Sequence, residues 1–302
     1  MLDGPMNFLR IRLSLLLAAV LCLASCATQE RSEGDTTTVN DDYGRTVQVP
    51  VSPTRIVSTS PAVTEIIFAL GGEDLLVGRT DFCTYPPQAI NIESIGGISN
   101  LNNEKILTLN PDLVISGSMI PKKNTDQLAQ MGVPTVCVIE QHRFDGLYDN
   151  IAKIGNLIGR PETADSLVLH LQKEIMALPR PDDGDRPSVY YVVGFGSSGN
   201  FTAGGNSFIN DIITMAGGRN IAANMEGWSF SLESLMQSDP DYIIIRKEDA
   251  ATFCHTSPYD RLSAVKEGRV IAIESGMIDL QVPRNIEAVK FISQSLSTQV
   301  HD

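Results

Sequence analysis

The stretch NNEKILTLNPDLVI, residues 102–115, decides how this chain is read, because the chain writes it a second time as SLESLMQSDPDYII at residues 231–244. In each copy a glutamate, Glu104 or Glu233, is followed seven and eight positions later by Pro-Asp, at Pro111-Asp112 and Pro240-Asp241. A residue of capping type, Asn102 or Ser231, stands two positions before the glutamate, which places that glutamate in the first turn of a helix. Proline lacks an N–H and disfavours helix at the residue before it, so each helix must stop there. The apolar β-branched run that follows suits a buried parallel strand. Copies 129 residues apart are too distant for neighbours in a solenoid. They fit two lobes of one architecture.

The flanks of the two copies extend the parallel. Before the first, residues 55–59 read as a strand, Ser60-Pro61 opens a helix with apolar Ile66, Ile67 and Leu70, and Gly71-Gly72 ends it. Before the second, residues 188–193 read as a strand and residues 206–216 as a helix that again ends in Gly-Gly, Gly217-Gly218. Further strands are expected at 75–78, 135–139 and 270–273, and a last helix at 284–296. Strands alternating with helices mean a parallel α/β sheet. Between the halves, residues 144–178 carry two apolar stripes at helical spacing, Leu147, Ile151, Ile154, Ile158 and then Ala164, Leu167, Leu171, Ile175, Leu178, with no strand between them. They read as a helical connector. Two similar lobes joined in this way leave a cleft, and such clefts are where ligands bind.

The remaining composition bounds the function. The chain has 302 residues, 42% hydrophobic and 20% charged, with a net charge of −13. That charge argues against nucleic acid, and against an anionic membrane surface, as the main partner. The N-terminus reads as a targeting segment: Arg10 and Arg12, then an apolar run at 13–23 broken only by Ser14, too short to span a bilayer. Leu23-Ala24-Ser25-Cys26 resembles the bacterial lipoprotein box, which makes Cys26 the expected lipidation site and membrane anchor. The expected organisation is a signal peptide at 1–25, a lipidated disordered tether at 26–42, a first lobe at 43–143, the connector at 144–180 and a second lobe at 181–302. Cys83, Cys137 and Cys254 remain after Cys26. Export permits a disulfide, for which Cys83 with Cys137, both in the first lobe, is the candidate; an odd count leaves one thiol unpaired.

Enzyme signatures mostly fail. Gly194 to Gly199, GFGSSG, matches G-x-G-x-x-G after a strand, but the following residues read as loop where a dinucleotide site needs a helix. His142, His170, His255 and His301 are scattered without metal-ligand spacing.

From residue 43 to 296 the chain resembles the class III, helical-backbone substrate-binding proteins of ABC importers for cobalamin, haem and ferric siderophores. The motifs that carry the resemblance are RIVSTSPAVTEIIFALGG (55–72), VGRTDFCTYPPQA (77–89), NLNNEKILTLNPDLVI (100–115), NFTAGGNSFINDIITMAGGRNI (200–221) and SLESLMQSDPDYII (231–244). The resemblance implies two Rossmann-like parallel-sheet lobes on one rigid helix, here residues 162–178, with small opening motions. It implies a binding role rather than catalysis, no cofactor, no metal of its own, and a monomeric exported protein working with an importer permease dimer. The loop TDFCTYPPQA is similar to the cobalamin branch, so the implied ligand is a cobalamin-type corrinoid, with haem or a ferric siderophore as the alternative. Implied ligand contacts are Phe82, Tyr85, Phe201, Trp228, Met277, Asp279 and Arg284. Residues 276–280 lack the aromatic and basic residues of the cobalamin branch, and residues 98–100 stand where that branch has a tryptophan-containing stretch. In the family one glutamate per lobe docks onto permease arginines, a role that falls here to Glu104 and Glu233.

Overall fold

A computed structural model describes residues 35–179 and 186–298. The predicted leader and Cys26 lie outside the described residues. The described residues from 37 onward form one compact unit, and within it two four-stranded parallel sheets share a topology.

The first lobe runs β1 (Thr36–Asn40), β2 (Thr46–Pro50), β3 (Ile56–Ser58), α1 (Pro61–Ala69), β4 (Leu76–Arg79), β5 (Gly96–Gly97), β6 (Asn100–Leu101), α2 (Asn103–Thr108), β7 (Leu113–Ser116), α3 (Lys122–Gln130) and β8 (Thr135–Cys137). The connector is α4 (Gly146–Leu157) and α5 (Pro161–Met176). The second lobe runs β9 (Ser188–Val192), α6 (Phe208–Met215), β10 (Arg219–Asn220), α7 (Leu232–Ser238), β11 (Tyr242–Arg246), α8 (Lys247–His255), α9 (Ser263–Lys266), β12 (Val270–Ile273) and α10 (Asn285–Thr298).

The first sheet has the order β4-β3-β7-β8 and the second β10-β9-β11-β12. Counted within its own lobe, each sheet therefore runs second, first, third, fourth. The strand of the repeated stretch, β7 or β11, lies inside its sheet between the first and the fourth, which is why it is apolar on both faces. All of its side chains are buried except that of Arg246 at its end.

The repeated stretch folds the same way twice. Asn102 and Ser231 are N-caps, each accepting a bond from the backbone N–H three residues on. The two non-glycine residues with positive φ among the described residues are Asn110, at 47°, and Asp239, at 35°. Each stands immediately before the repeated proline, which disfavours right-handed helix there, and Asn and Asp are the residues that tolerate the left-handed conformation found. The aspartate after the proline has a structural task. Asp112 accepts from Thr54 N at 2.7 Å, Thr54 Oγ1 at 2.9 Å and Arg55 N at 3.0 Å. Asp241 accepts from Ser188 N at 2.7 Å and Ser188 Oγ at 2.6 Å. Each carboxylate thus ties the start of its own strand to the start of the lobe's first strand.

The connector turns sharply between its helices. A Cβ on Gly155 would sit 2.4 Å from the Cβ of Ala164, so α4 and α5 touch almost backbone to backbone. Helix α5 ends at Met176, two residues short of expectation, and buries Ala164, Leu171 and Ile175. One hydrophobic cluster runs through both sheets and this helix, from Ile56 and Ile115 through Ile151 and Leu171 to Ile244 and Ile292. Side-chain ties add to it. Gln281 accepts from Gln141 N at 2.9 Å and donates to Arg143 O at 2.8 Å, and Asp211 accepts from Phe144 N at 2.9 Å.

Two expectations are corrected, and one strand is added. The tether does not extend to residue 42, because Thr36–Asn40 is a strand paired with β2. Asp41 accepts from Arg45 and from Cys137 N, and Asp42 accepts from Ile139 N. The second lobe has a short strand, β10, after Gly217-Gly218, in the place that β4 takes in the first. Cys83 and Cys137 are both free and buried. The Cys83 Sγ lies 3.2 Å from Thr80 Oγ1, whereas Cys137 Sγ points to Gly117 O. Among the described residues no helix is long and apolar enough to cross a membrane.

Candidate functional site

In each sheet the first and third strands are neighbours and the chain leaves them toward opposite edges. Ligands of open α/β sheets sit at the carboxyl ends of strands, at such a switch point. In the first lobe that point lies at the N-terminus of α1. Pro61 and Glu65 of α1 line a cavity of about 420 Å³, with Phe82, Thr84 and Tyr85 after β4, Ile98, and Met119 after β7. The second lobe closes it with Glu274, Ser275 and Gly276 after β12, then Asp279, Leu280 and Arg284. The cavity is thus the cleft between the lobes.

The wall facing solvent is aromatic. The Phe82 side chain is 59% exposed and Tyr85 42%. Exposed rings grouped on one concave wall form the kind of apolar patch that marks a binding groove. Beneath them lies a buried ion pair. Glu65, 4% exposed as a side chain, accepts two bonds from Arg284, at 2.7 Å from Nε and 2.8 Å from Nη2. The guanidinium carbon lies 4.0 Å from the centroid of the Tyr85 ring, a cation–π stack. A Cβ on Gly276 would come within 2.2 Å of Arg284 Nη2, and because Glu65 fixes that nitrogen it could not move aside. Glycine at 276 lets the second-lobe loop lie against the guanidinium. Burial raises the Glu65 carboxyl above its ordinary value, and the bonds from Arg284 pull it back only in part.

A second network lies on the other side of the loop. Asp279 accepts from Arg246 Nε at 2.8 Å and from the Tyr191 hydroxyl. Burial, with Asp279 beside it, pushes that hydroxyl well above its usual pKa. Lys247 reaches Glu274 at 3.1 Å. A further hollow of about 530 Å³ against α5 shares Glu65, Tyr85 and Arg284 with the cleft, so those three side chains form the partition between the two.

Of the sequence-predicted contacts, the fold brings Phe82, Tyr85, Asp279 and Arg284 to one cleft. Arg284 does not project a free cation; its fork is filled by Glu65. Met277 does not line the cleft but packs against the main core. Phe201 and Trp228 lie together away from the cavity lining: Thr202 N donates to Trp228 O at 2.8 Å, and Trp228 is 50% exposed. The G-x-G-x-x-G match has a structural reason: a Cβ on Gly194 would lie 3.2 Å from the Phe201 ring, and Gly196 and Gly199 hold positive φ, 88° and 105°. Glu104 and Glu233 are exposed in the first turns of α2 and α7. Among the described residues no group of three His, Cys, Asp or Glu side chains is placed to hold a metal.

Sequence reading missed Glu65, Met119 and Glu274. Glu65 had a signal: it is the one charged residue in PAVTEIIFA, on a helix otherwise apolar or small, and a lone charge there must find a partner. Met119 and Glu274 stand in loops whose approach no local pattern reveals.

Comparison with known proteins agrees with this architecture. Residues 56–276 match the family model described as periplasmic binding protein. The chain belongs to the periplasmic binding protein family. Family membership makes it a binding protein rather than an enzyme. It is 28% identical over 300 residues to an uncharacterized ABC transporter substrate-binding lipoprotein of Bacillus subtilis, covering 94% of this chain and 95% of that protein. It is 29% identical to a cobalamin-binding protein of Halobacterium salinarum, over 87% of this chain and 75% of that one. Among solved structures, a periplasmic haem-binding protein from a Roseiflexus species superposes with a TM-score of 0.70 at 26% identity, over 80% of this chain and 97% of that one. Relatives named for cobalamin and for haem thus stand at similar identity, and the choice between ligands falls to the cleft itself.

Proposed function

We propose that this chain captures a cobalamin-type corrinoid in the interlobe cleft and delivers it to an ABC importer. The observation that carries this reading is the pair of exposed rings, Phe82 and Tyr85, on a cleft wall continued by Ile98 and Met119. A broad apolar wall with aromatic anchors suits one face of a flat macrocycle. The likeness to relatives named for cobalamin supports it. The interlobe ties at Glu65–Arg284 and at Gln281 support a cleft that closes by small adjustments, since rebuilding a buried pair is costly. In this reading Cys26 carries the lipid that holds the protein at the membrane surface, and Glu104 and Glu233 meet the permease.

The test is the visible absorption spectrum and calorimetric titration of the purified protein with cyanocobalamin, haemin and a ferric siderophore. The expected result is a micromolar or tighter complex with cyanocobalamin. A haemin Soret shift without any cobalamin heat would move the assignment to haem. Anchoring has its own test: Cys26→Ser should release the protein from the membrane fraction on carbonate washing, because stable attachment needs the acyl chains.

A further inference from the structure

We propose that the cleft sorts macrocycles by charge, and that Glu274 and Asp279 turn away ligands edged with carboxylates in favour of ligands edged with neutral amides. The inference rests on the cleft being the ligand site proposed above, but not on the ligand being a corrinoid.

The lining presents three carboxylates, Glu65, Glu274 and Asp279, against one guanidinium, Arg284. That guanidinium already has its partner: Nε and Nη2 are bonded to Glu65, and Tyr85 covers one face. The cations behind the second-lobe wall are held as well. Arg246 bonds Asp279 at 2.8 Å and reaches Asp249 at 3.6 Å. Lys247 bonds Glu274. An incoming carboxylate therefore finds no unpaired cation along this lining. It would sit beside Glu274 and Asp279, or else take Arg246 from Asp279 and strand that acid next to the Tyr191 hydroxyl. Either arrangement is a like-charge or unpaired-charge penalty of the kind that builds specificity against a competitor. The chain's net charge of −13 acts in the same direction at longer range.

An amide edge meets the opposite situation. Carboxylate oxygens accept from amide N–H groups, and a carboxylate has about four acceptor sites. Asp279 uses one oxygen for Tyr191 and the other for Arg246, which leaves further lone pairs. Glu274 is bonded to Lys247 through one oxygen and is more than half exposed at the cleft. Charge-assisted bonds of this type are stronger than neutral ones.

The experiment compares ligands that share a ring and differ only in charge. Cyanocobalamin is titrated against a corrinoid carboxylate made by hydrolysing its side-chain amides, haemin against its dimethyl ester, and a neutral ferric hydroxamate against an anionic ferric catecholate. In whichever pair binds, the neutral member is expected to bind tighter by about tenfold or more at low salt, as like charges in contact cost several kcal/mol. The variant Asp279→Asn, which leaves Arg246 without its main carboxylate, and Glu274→Gln should each narrow that gap by at least about tenfold or threefold respectively, the partly buried site weighing more than the exposed one. Neutral preference in the haem pair with no binding of corrinoids would sink the corrinoid reading and leave the charge rule standing. Equal affinity within the binding pair, tighter binding of the acid, or a gap unmoved by both variants would overturn the charge rule whatever the ligand. Binding of no member of any pair would overturn both.

Discussion

The Glu65 carboxylate and the Arg284 guanidinium meet through two bonds, 2.7 and 2.8 Å long, although 219 positions separate them in the chain. Glu65 belongs to the helix that follows the first strand of one lobe, and Arg284 precedes the last helix of the other. The pair therefore joins the lobes at the floor of the cleft, and the Tyr85 ring that stacks on it forms part of the cleft wall. A buried pair of this kind adds little net stability over a well-packed apolar substitute, but losing one partner is costly.

Arg284→Met should therefore destabilise the ligand-free protein by about 3–5 kcal/mol, because a buried carboxylate is left alone. The double variant Glu65→Leu with Arg284→Met should recover most of that loss. Denaturant unfolding of the two single variants, the double variant and the parent gives the comparison. Unchanged stability in Arg284→Met, with ligand affinity alone reduced, would return Arg284 to the role of a free ligand contact.

Acid stability has a separate source. Burial alone would raise the Asp41 carboxyl, but bonds from the Arg45 side chain, the Arg45 backbone and the Cys137 N–H outweigh it and hold the group below the usual carboxylate range. A lowered folded-state pKa means that this contribution is fully present above the ordinary value and is lost as pH falls through the lower one. Glu65, raised by burial, has the opposite sign: its contribution is present at acid pH and is lost as pH rises through its raised value. Asp41→Asn should thus lower stability at neutral pH and flatten the fall in stability below about pH 4. Unfolding free energies across the acid range, parent against variant, check it; parallel curves would mean that Asp41 is not the group that titrates.

The Pro-Asp carboxylates make a paired prediction. Asp112 and Asp241 each hold the start of a first strand through two or three bonds. Alanine at either position should cost about 1–3 kcal/mol. The two sites lie in different lobes, so the losses should add within about 0.5 kcal/mol. A strongly non-additive double variant would show that the lobes share a cooperative edge that the contacts do not reveal.

This pairing also shows why so much of the fold could be read in advance. Cap, proline and β-branched run are local signals, and each acts within a few residues of itself. Written twice, they carried the two-lobe organisation and the position of both central strands. What escaped depends on distant partners. Thr36–Asn40 looks polar, yet its Val39 packs against the core and its neighbours Asp41 and Asp42 are bonded to the end of β8. Two residues, Arg219 and Asn220, form a strand because β9 lies beside them, not because of their own propensity. In the candidate site, Phe82, Tyr85 and Asp279 were legible as members of loops with a resemblance to known binders. That Arg284 is held by Glu65 was not, since a salt bridge across 219 positions leaves no trace in spacing.

The two glutamates of the repeated stretch give the last prediction. Glu104 and Glu233 stand at matching positions in α2 and α7, each exposed and two residues past the N-cap. One account of them is local: a carboxylate in a first helical turn favours the helix dipole by about 0.3–1 kcal/mol. That account predicts a slight loss of stability on substitution and normal transport. The account proposed here is that the pair meets arginines of the permease, one per lobe. Carboxylate–guanidinium pairs can be bidentate and are demanding in geometry, and charges at the rim of an interface act mainly on association in a salt-dependent way. The double variant Glu104→Arg with Glu233→Arg should then keep its melting temperature and its ligand affinity while losing stable association with the permease and ligand uptake. Affinity, melting and uptake are to be measured on the same preparation. Normal uptake would leave both residues as helix-dipole partners, and loss of ligand binding would place them in the cleft or the fold instead.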